Sequence, residues 1–255
     1  MTPLVDTSVF CGRWPFRQLA PTDFEGLKVH LKQHGVTQAW VAAMESVLLP
    51  DPMEGNEPLL TSVSADPFFV PFAVIDVSLA TYLDDAAACL KNWRCGGFKL
   101  LPNYHSFPVN DGRVTKLLEM AAAENVPVSF QLRMVDERAH HPLMKVPGVP
   151  AADVAALAAA HPKNRFLACG AYHAELKHLQ SAAKNLWVEL SSVESGESLV
   201  NALKMVSSER IVFGSHSPFY YFEAVAEKLN VGSDVSPETL RRVRELNAVE
   251  LLGQA

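Results

Sequence analysis

Eight short apolar runs, most of them followed by a segment with helical spacing, recur along the whole chain and leave few folds open to it. They lie at Leu4–Phe10, Gln38–Ala43, Phe69–Asp76, Gly96–Pro102, Pro127–Arg133, Arg165–Ala171, Leu186–Ser192 and Arg210–Phe219. Runs as continuously apolar as Gln38–Ala43 and Phe69–Asp76 are those of strands covered on both faces. Strand and helix in alternation call for crossover connections between parallel neighbours. Eight such units in 255 residues, 49% of them hydrophobic, predict a single-domain α/β fold, one (β/α)8 barrel over residues 1–255. In the first strand the two-residue repeat is expected to put Asp6, Ser8 and Phe10 on one inward face.

The helical segments carry their own start and stop signals. Thr22 followed by Glu25 has capping-box spacing, Phe24, Leu27 and Leu31 form an apolar stripe, and Gly35 marks the stop. His30 and His34 stand one turn apart, a metal-compatible pair, but with no acidic residue between them they read as flanks of the apolar face. The prolines and Gly55 in Met44–Pro58 predict a loop. Further helices are expected at Asp84–Trp93, Val114–Glu124, Ala151–Ala160, Ala174–Ala183, Glu197–Met205 and Pro237–Leu252.

Charge narrows the partner. A formal charge of -6 gives no general attraction for nucleic acid or an anionic membrane, so a small molecule is the expected partner, with a homo-oligomer left open. Cys11, Cys89, Cys95 and Cys169 show no C-x-x-C spacing and read as reduced thiols. With no basic leader before an apolar run and no membrane-length stretch, the expected location is the cytoplasm.

Several motifs follow one another in a telling order: G-F-K-L-L-P with a downstream aspartate in F-P-V-N-D, P-V-S-F-Q-L-R, F-L-A-C-G-A, R-I-V-F-G-S-H-S-P-F and N-A-V-E-L-L-G. Together they resemble the amidohydrolase superfamily, in the branch called amidohydrolase family 2. The resemblance implies a TIM barrel with a metal-bound hydroxide that attacks a carbonyl, and an aspartate on strand eight as proton carrier. It places the family's metal ligands on Ser8, Phe10, Gln131, Cys169 and His216. Phe10 has no donor atom, and Ser8 and Gln131 are poor zinc ligands, so the usual metal is expected to be lost and no cofactor is assigned.

Residues at the strand ends form the candidate site of such a barrel. His216, Asp6 and Lys99 are the candidate acid–base and charge-stabilising groups. Arg133, Gln131, Ser8, Tyr104, His105, His173, Trp14 and Glu189 are the candidate substrate contacts, Arg133 as a planar fork for a carboxylate. The alternative for Lys99 and Arg133 is that they neutralise Asp6 and Glu189. Ser191 and Arg17 lie at the same end, and the loop with Asp136, Glu137, Arg138, His140 and His141 is a candidate lid. The expected function is a metal-independent hydrolase or lyase acting on an acidic or carbonyl-bearing compound. Two alternatives stand beside it: a non-standard zinc cage of Cys169, His173 and His216 completed by His105 or Cys11, and an inactive barrel that binds ligand or serves an assembly.

Overall fold

The computed structural model describes residues 3–180 and 184–254. Each apolar run contains a strand: β1 (Val5–Cys11), β2 (Gln38–Ala43), β3 (Phe69–Val74), β4 (Gly97–Leu100), β5 (Val128–Gln131), β6 (Phe166–Cys169), β7 (Leu186–Glu189) and β8 (Ile211–Val212). They pair in chain order, every named ladder parallel, from β1 to β8. The eighth run forms a strand of only two residues. The seam is therefore spanned by irregular chain beyond it: Thr7 N donates to Phe213 O (3.0 Å), His216 N to Ser8 O (2.8 Å) and Phe10 N to Ser217 O (2.8 Å). The result is a nearly closed (β/α)8 barrel.

Helices cover the outside: α1 (Phe24–Gln33), α2 (Met53–Val63), α3 (Tyr82–Trp93), α4 (Gly112–Ala123), α5 (Ala151–Ala160), α6 (Leu176–Gln180), α7 (Ser198–Leu203), α8 (Phe222–Ala226), α9 (Pro237–Arg241) and α10 (Asn247–Leu252). Asp23, not Thr22, caps α1, its carboxylate accepting from Gly26 N at 2.8 Å. Helix α2 occupies part of the segment read as a loop. Pro52 sits at its N-cap, where a missing N–H is harmless, and the buried Asn56 ties it to β3 through Val74 O (2.7 Å) and Val74 N (3.1 Å). Gly55 is needed for close approach, since a Cβ there would lie 2.5 Å from Ser46 Oγ. The helix expected at Ala174–Ala183 begins as a 3-10 turn, His173–Glu175, runs on as α6, and its last three positions lie outside the described residues. The closing helix is interrupted by a wide π turn at Arg242–Leu246, and buried Asn247 hydrogen-bonds Ser208 O and Ile211 O beside β8.

Packing divides the barrel interior into layers. At one end Val5, Trp40, Phe72, Leu167, Trp187 and Leu251 form an apolar cluster. At the mouth Phe10, Trp14, Met44, Leu101, Met134 and Phe219 form another. Lys99 lies between them, against Cys169 of the first and Phe10 of the second.

Candidate active site

Lys99 on β4 aligns with Val74 on one side and Ser129 on the other, and Gln131 aligns with Cys169, so these side chains share the inner face. Lys99 is buried, with Nζ 3.7 Å from Cys169 Sγ and 5.0 Å from the centre of the Phe10 ring. A buried ammonium carries a desolvation penalty of several kcal/mol, which the thiol and the ring face only partly offset. Burial pushes the Cys169 thiol up to about 11, Lys99 pulling against it, so the sulfur is protonated and no nucleophile. Glu189 accepts from Gly170 N, from Ser191 N and from Ser191 Oγ (2.7 Å), while burial raises its pKa. Gly214 is what lets this layer close, because a Cβ there would stand 3.0 Å from Glu189 Cβ and 3.1 Å from Ser8 Cβ.

Asp6 does not share a face with Phe10. The β1–β2 register slips between Asp6 and Val9, so Asp6 aligns with Ala39 and Phe10 with Ala42, three positions along β2 and hence on opposite faces. Strict alternation predicts otherwise; the irregularity at Thr7 and Ser8 is the reason. Asp6 instead stands at the β1–β8 seam, where Oδ1 accepts from Ser215 N (2.8 Å) and Ser8 N (3.3 Å), and burial lifts its carboxyl to about 7 against those bonds.

His216 adopts a left-handed backbone (φ 56°) after β8. Its Nε2 lies 2.6 Å from Met134 O, an acceptor, so that nitrogen carries the proton. Burial depresses its pKa to about 3, leaving a neutral ring whose Nδ1 has no partner among the described residues. The same holds for Asp6 Oδ2, Ser8 Oγ, Ser129 Oγ and Gln131 Oε1, a concentration of orphaned buried groups around the barrel interior.

Arg133 is committed to protein. It forks onto Glu175 at 2.7 and 2.8 Å, donates to Gly170 O and packs on the Tyr172 ring at 3.8 Å. Neither it nor Lys99 pairs directly with Asp6 or Glu189. Gln131 donates to Arg133 O at 2.8 Å. His105 is turned to Ser46 O (3.3 Å), its pKa lowered by burial. His173 is half-buried, its Nδ1 without a partner among the described residues. His34 stacks on Phe222 and lies 3.2 Å from Glu223, a packing role for the His30–His34 pair. In the candidate lid, Asp136 pairs with Arg138 (2.7 Å) beside a 3-10 turn at Glu137–Ala139.

An aromatic stack covers this layer. Phe10 meets Phe219 at 5.9 Å and His216 at 5.5 Å, Phe219 meets Trp14 at 5.2 Å, and Trp14 meets Tyr104 at 6.2 Å. Beyond Trp14 lies a cavity of about 130 Å³ lined by Trp14, Phe16, Arg17, Tyr104, Val135, Ala139, His141 and Met144. Sequence reasoning did not find Glu175, Phe219 or Met134. Glu175 has one legible signal, its position three residues beyond Tyr172, whose backbone N–H it caps at 2.7 Å. The other two are apolar residues with no chemistry to mark them.

The family model of the amidohydrolases, family 2, matches residues 54–254, most of the chain. The chain belongs to that family. No curated protein matches it in sequence. Among solved structures, 2,6-dihydroxybenzoate decarboxylase in complex with 2,6-dihydroxybenzoate superposes with a TM-score of 0.77 at 12% identity, covering 99% of this chain and 100% of that one. The 5-carboxyvanillate decarboxylase of Sphingomonas paucimobilis gives 0.76 at 12%, covering 99% of each chain. The dihydroxybenzoic acid decarboxylase of a Polaromonas species, solved with manganese and 2-nitroresorcinol, gives 0.73 at 13%, covering 99% and 97%. At such identities the likeness is one of fold.

The donor set at the strand ends does not fit a divalent ion. Phe10 turns an aromatic ring toward Lys99, His216 commits Nε2 to Met134 O, and a protonated thiol beside an ammonium offers no thiolate. Among the described residues no three or more His, Cys, Asp or Glu side chains gather as a metal cage. The alternative cage is not assembled either: Cys11 Sγ lies 3.7 Å from Thr22 O, and His105 faces Ser46.

Proposed function

We propose that the chain is a small-molecule enzyme, a lyase or hydrolase that takes an acidic or carbonyl-bearing compound at the barrel mouth and works by general acid and base chemistry, with no metal at the strand ends. The observation that carries this reading is a set of buried titratable groups, Lys99 and Glu189 in the interior, Asp6 at the β1–β8 seam and a neutral His216 after β8, beside buried polar atoms that have no partner among the described residues. Native interiors satisfy nearly all such groups, and exceptions concentrate where chemistry is done. Asp6, at about 7, exchanges its proton near neutrality, and Lys99 supplies fixed positive charge for developing negative charge. The substrate class draws support from the structural neighbours, decarboxylases of 2,6-dihydroxybenzoate and 5-carboxyvanillate, both single-ring aromatic acids. Free, buried Cys11, Cys89, Cys95 and Cys169 fit a reducing cytoplasm.

A second reading, a barrel that binds ligand without turnover, is favoured by the stack of Phe10, Phe219 and Trp14 over that layer. Chelator-dialysed protein assayed for decarboxylation of 2,6-dihydroxybenzoate and 5-carboxyvanillate, and for hydrolysis of lactones and amides, separates the two. Turnover that is lost in Asp6→Asn supports the enzyme. Binding without turnover supports the second reading, and turnover that appears only on adding manganese or zinc overturns metal independence.

A further inference from the structure

We infer that the hydroxyls of Ser191, Ser192 and Tyr220 form a proton relay that connects the buried Glu189 carboxyl with solvent. The inference rests on the acid–base reading of the interior for its use in turnover, and adds the route by which that interior gains and loses a proton.

Glu189 is 0% exposed, so a proton reaches it only through its bonding partners. Two of these are the backbone N–H groups of Gly170 and Ser191, which donate to the carboxylate and have no lone pair to receive a proton in turn. Lys228 acts on Glu189 by charge, but its Nζ donates to Leu190 O (3.0 Å) and Ser191 O (2.7 Å), where it braces the backbone that carries the two serines. Asp6 and Cys169 also feel the Glu189 charge, yet neither is hydrogen-bonded to it among the described residues. The remaining partner is the Ser191 hydroxyl, with Oγ 2.7 Å from Glu189 Oε1.

From Ser191 the hydroxyls stand in file. Ser191 Oγ lies 3.5 Å from Ser192 Oγ, which in turn lies 3.2 Å from the Tyr220 hydroxyl. The two serines are 2% and 3% exposed. Tyr220 is half-buried and is the member that reaches the surface, where it lines an open cavity of about 360 Å³ with Arg17, His30 and Glu223. Thr7, Ser46 and Ser198 brace the chain, each donating its hydroxyl to a main-chain carbonyl. Among the described residues the hydroxyls of Ser191, Ser192 and Tyr220 bond to side-chain oxygens alone. Each of them both donates and accepts, which is what passing a proton requires. A proton from water binds the Tyr220 oxygen as the tyrosine's own passes to Ser192 Oγ, that of Ser192 to Ser191 Oγ and that of Ser191 to Glu189 Oε1. At every hydroxyl one O–H bond forms as another breaks, so each keeps one hydrogen and the carboxylate ends as the neutral acid, the form that burial favours. The reverse sequence returns the proton to solvent.

Infrared spectroscopy of the full chain tests this. The C=O stretch of the Glu189 acid is assigned by its loss in Glu189→Gln and that of the Asp6 acid by its loss in Asp6→Asn, and both bands are followed after rapid dilution into D2O. Exchange of the Glu189 acid is expected to slow on the order of tenfold in Tyr220→Phe and in Ser192→Ala, each of which deletes one hydroxyl and should keep the wild-type melting temperature. The Asp6 band should exchange at the wild-type rate in both, because Asp6 is bonded to Ser215 N and Ser8 N, off the file. Tyr221→Phe, which removes the hydroxyl of an 85% exposed neighbour, should change neither band. Wild-type exchange of Glu189 in Tyr220→Phe and Ser192→Ala overturns the relay. Equal slowing of the Asp6 band overturns it as well, since that marks a stiffer barrel and not a broken route. So does the absence of a Glu189 acid band across the whole pH range in which the chain is folded. A slowed Glu189 band in a protein that turns over none of the assayed compounds keeps the relay and overturns the enzyme reading, whereas turnover with an unslowed band does the reverse.

Discussion

Asp6 and His216 meet the same seam and titrate in opposite senses. Asp6 is raised from 3.8 to about 7, so between those values the fold keeps a proton that the unfolded chain releases, and stability falls as pH rises. His216 is lowered from 6.5 to about 3, so between those values the unfolded chain takes up a proton that the fold refuses, and stability rises with pH. From pH about 4 to 6 the slopes oppose one another, each about 1.4 kcal/mol per pH unit. Glu189, also raised by burial, adds a second falling slope, so urea unfolding over that range should show the wild type losing stability with rising pH, His216→Asn losing it more steeply and Asp6→Asn nearly flat. An Asp6→Asn curve that falls as steeply as the wild type would contradict this pairing. Arg133→Ala should destabilise by about 3 kcal/mol, measured the same way, because it takes the guanidinium fork from Glu175, which keeps only the Tyr172 N–H, and leaves Gly170 O without its donor. None of these partnerships is written in the residue types: a strand-end arginine looks the same whether it meets a ligand or Glu175.

Among the elements, strands were the legible part and boundaries the illegible one. Val, Phe and Leu runs mark all eight strands because burial on both faces leaves no room for polar alternation. The bulge in β1 cannot be read, since its cause is the fit of Thr7 and Ser8 against β2 and β8 and not any local preference. Helix α2 was hidden by Pro52 at its N-cap, by Pro58 within its body and by Asn56, a turn-forming residue whose amide is bonded to β3. Asn56→Ala should therefore cost about 2 kcal/mol, leaving Val74 N and O unpaired, and should lower the thermal midpoint without altering helix content by more than that one helix. Gly55→Ala should be at least as damaging, through overlap with Ser46.

At the scale of the whole molecule, a charged layer is held between two apolar clusters. That arrangement is less stable than a continuous apolar core, and Lys99→Met should raise the unfolding free energy by about 1–2 kcal/mol while removing activity, a trade that a purely structural lysine would not show. The barrel and its family were legible because motif order survives across the chain. The plug over the axis was not, because Phe10, Phe219 and Met134 announce only hydrophobicity.

The short eighth strand has one more consequence. A ring of strands opens first where its ladder is thinnest, and here that place is the join of β8 to β1, held by a few main-chain bonds and the Asp6 carboxylate. Amide exchange should accordingly be faster at Thr7, Phe10 and His216 than at Phe130 or Leu167 in the middle of the sheet. Each such opening parts the wall beside Ser8, so solvent and protons gain a side door to the interior that bypasses Trp14 and Phe219 altogether.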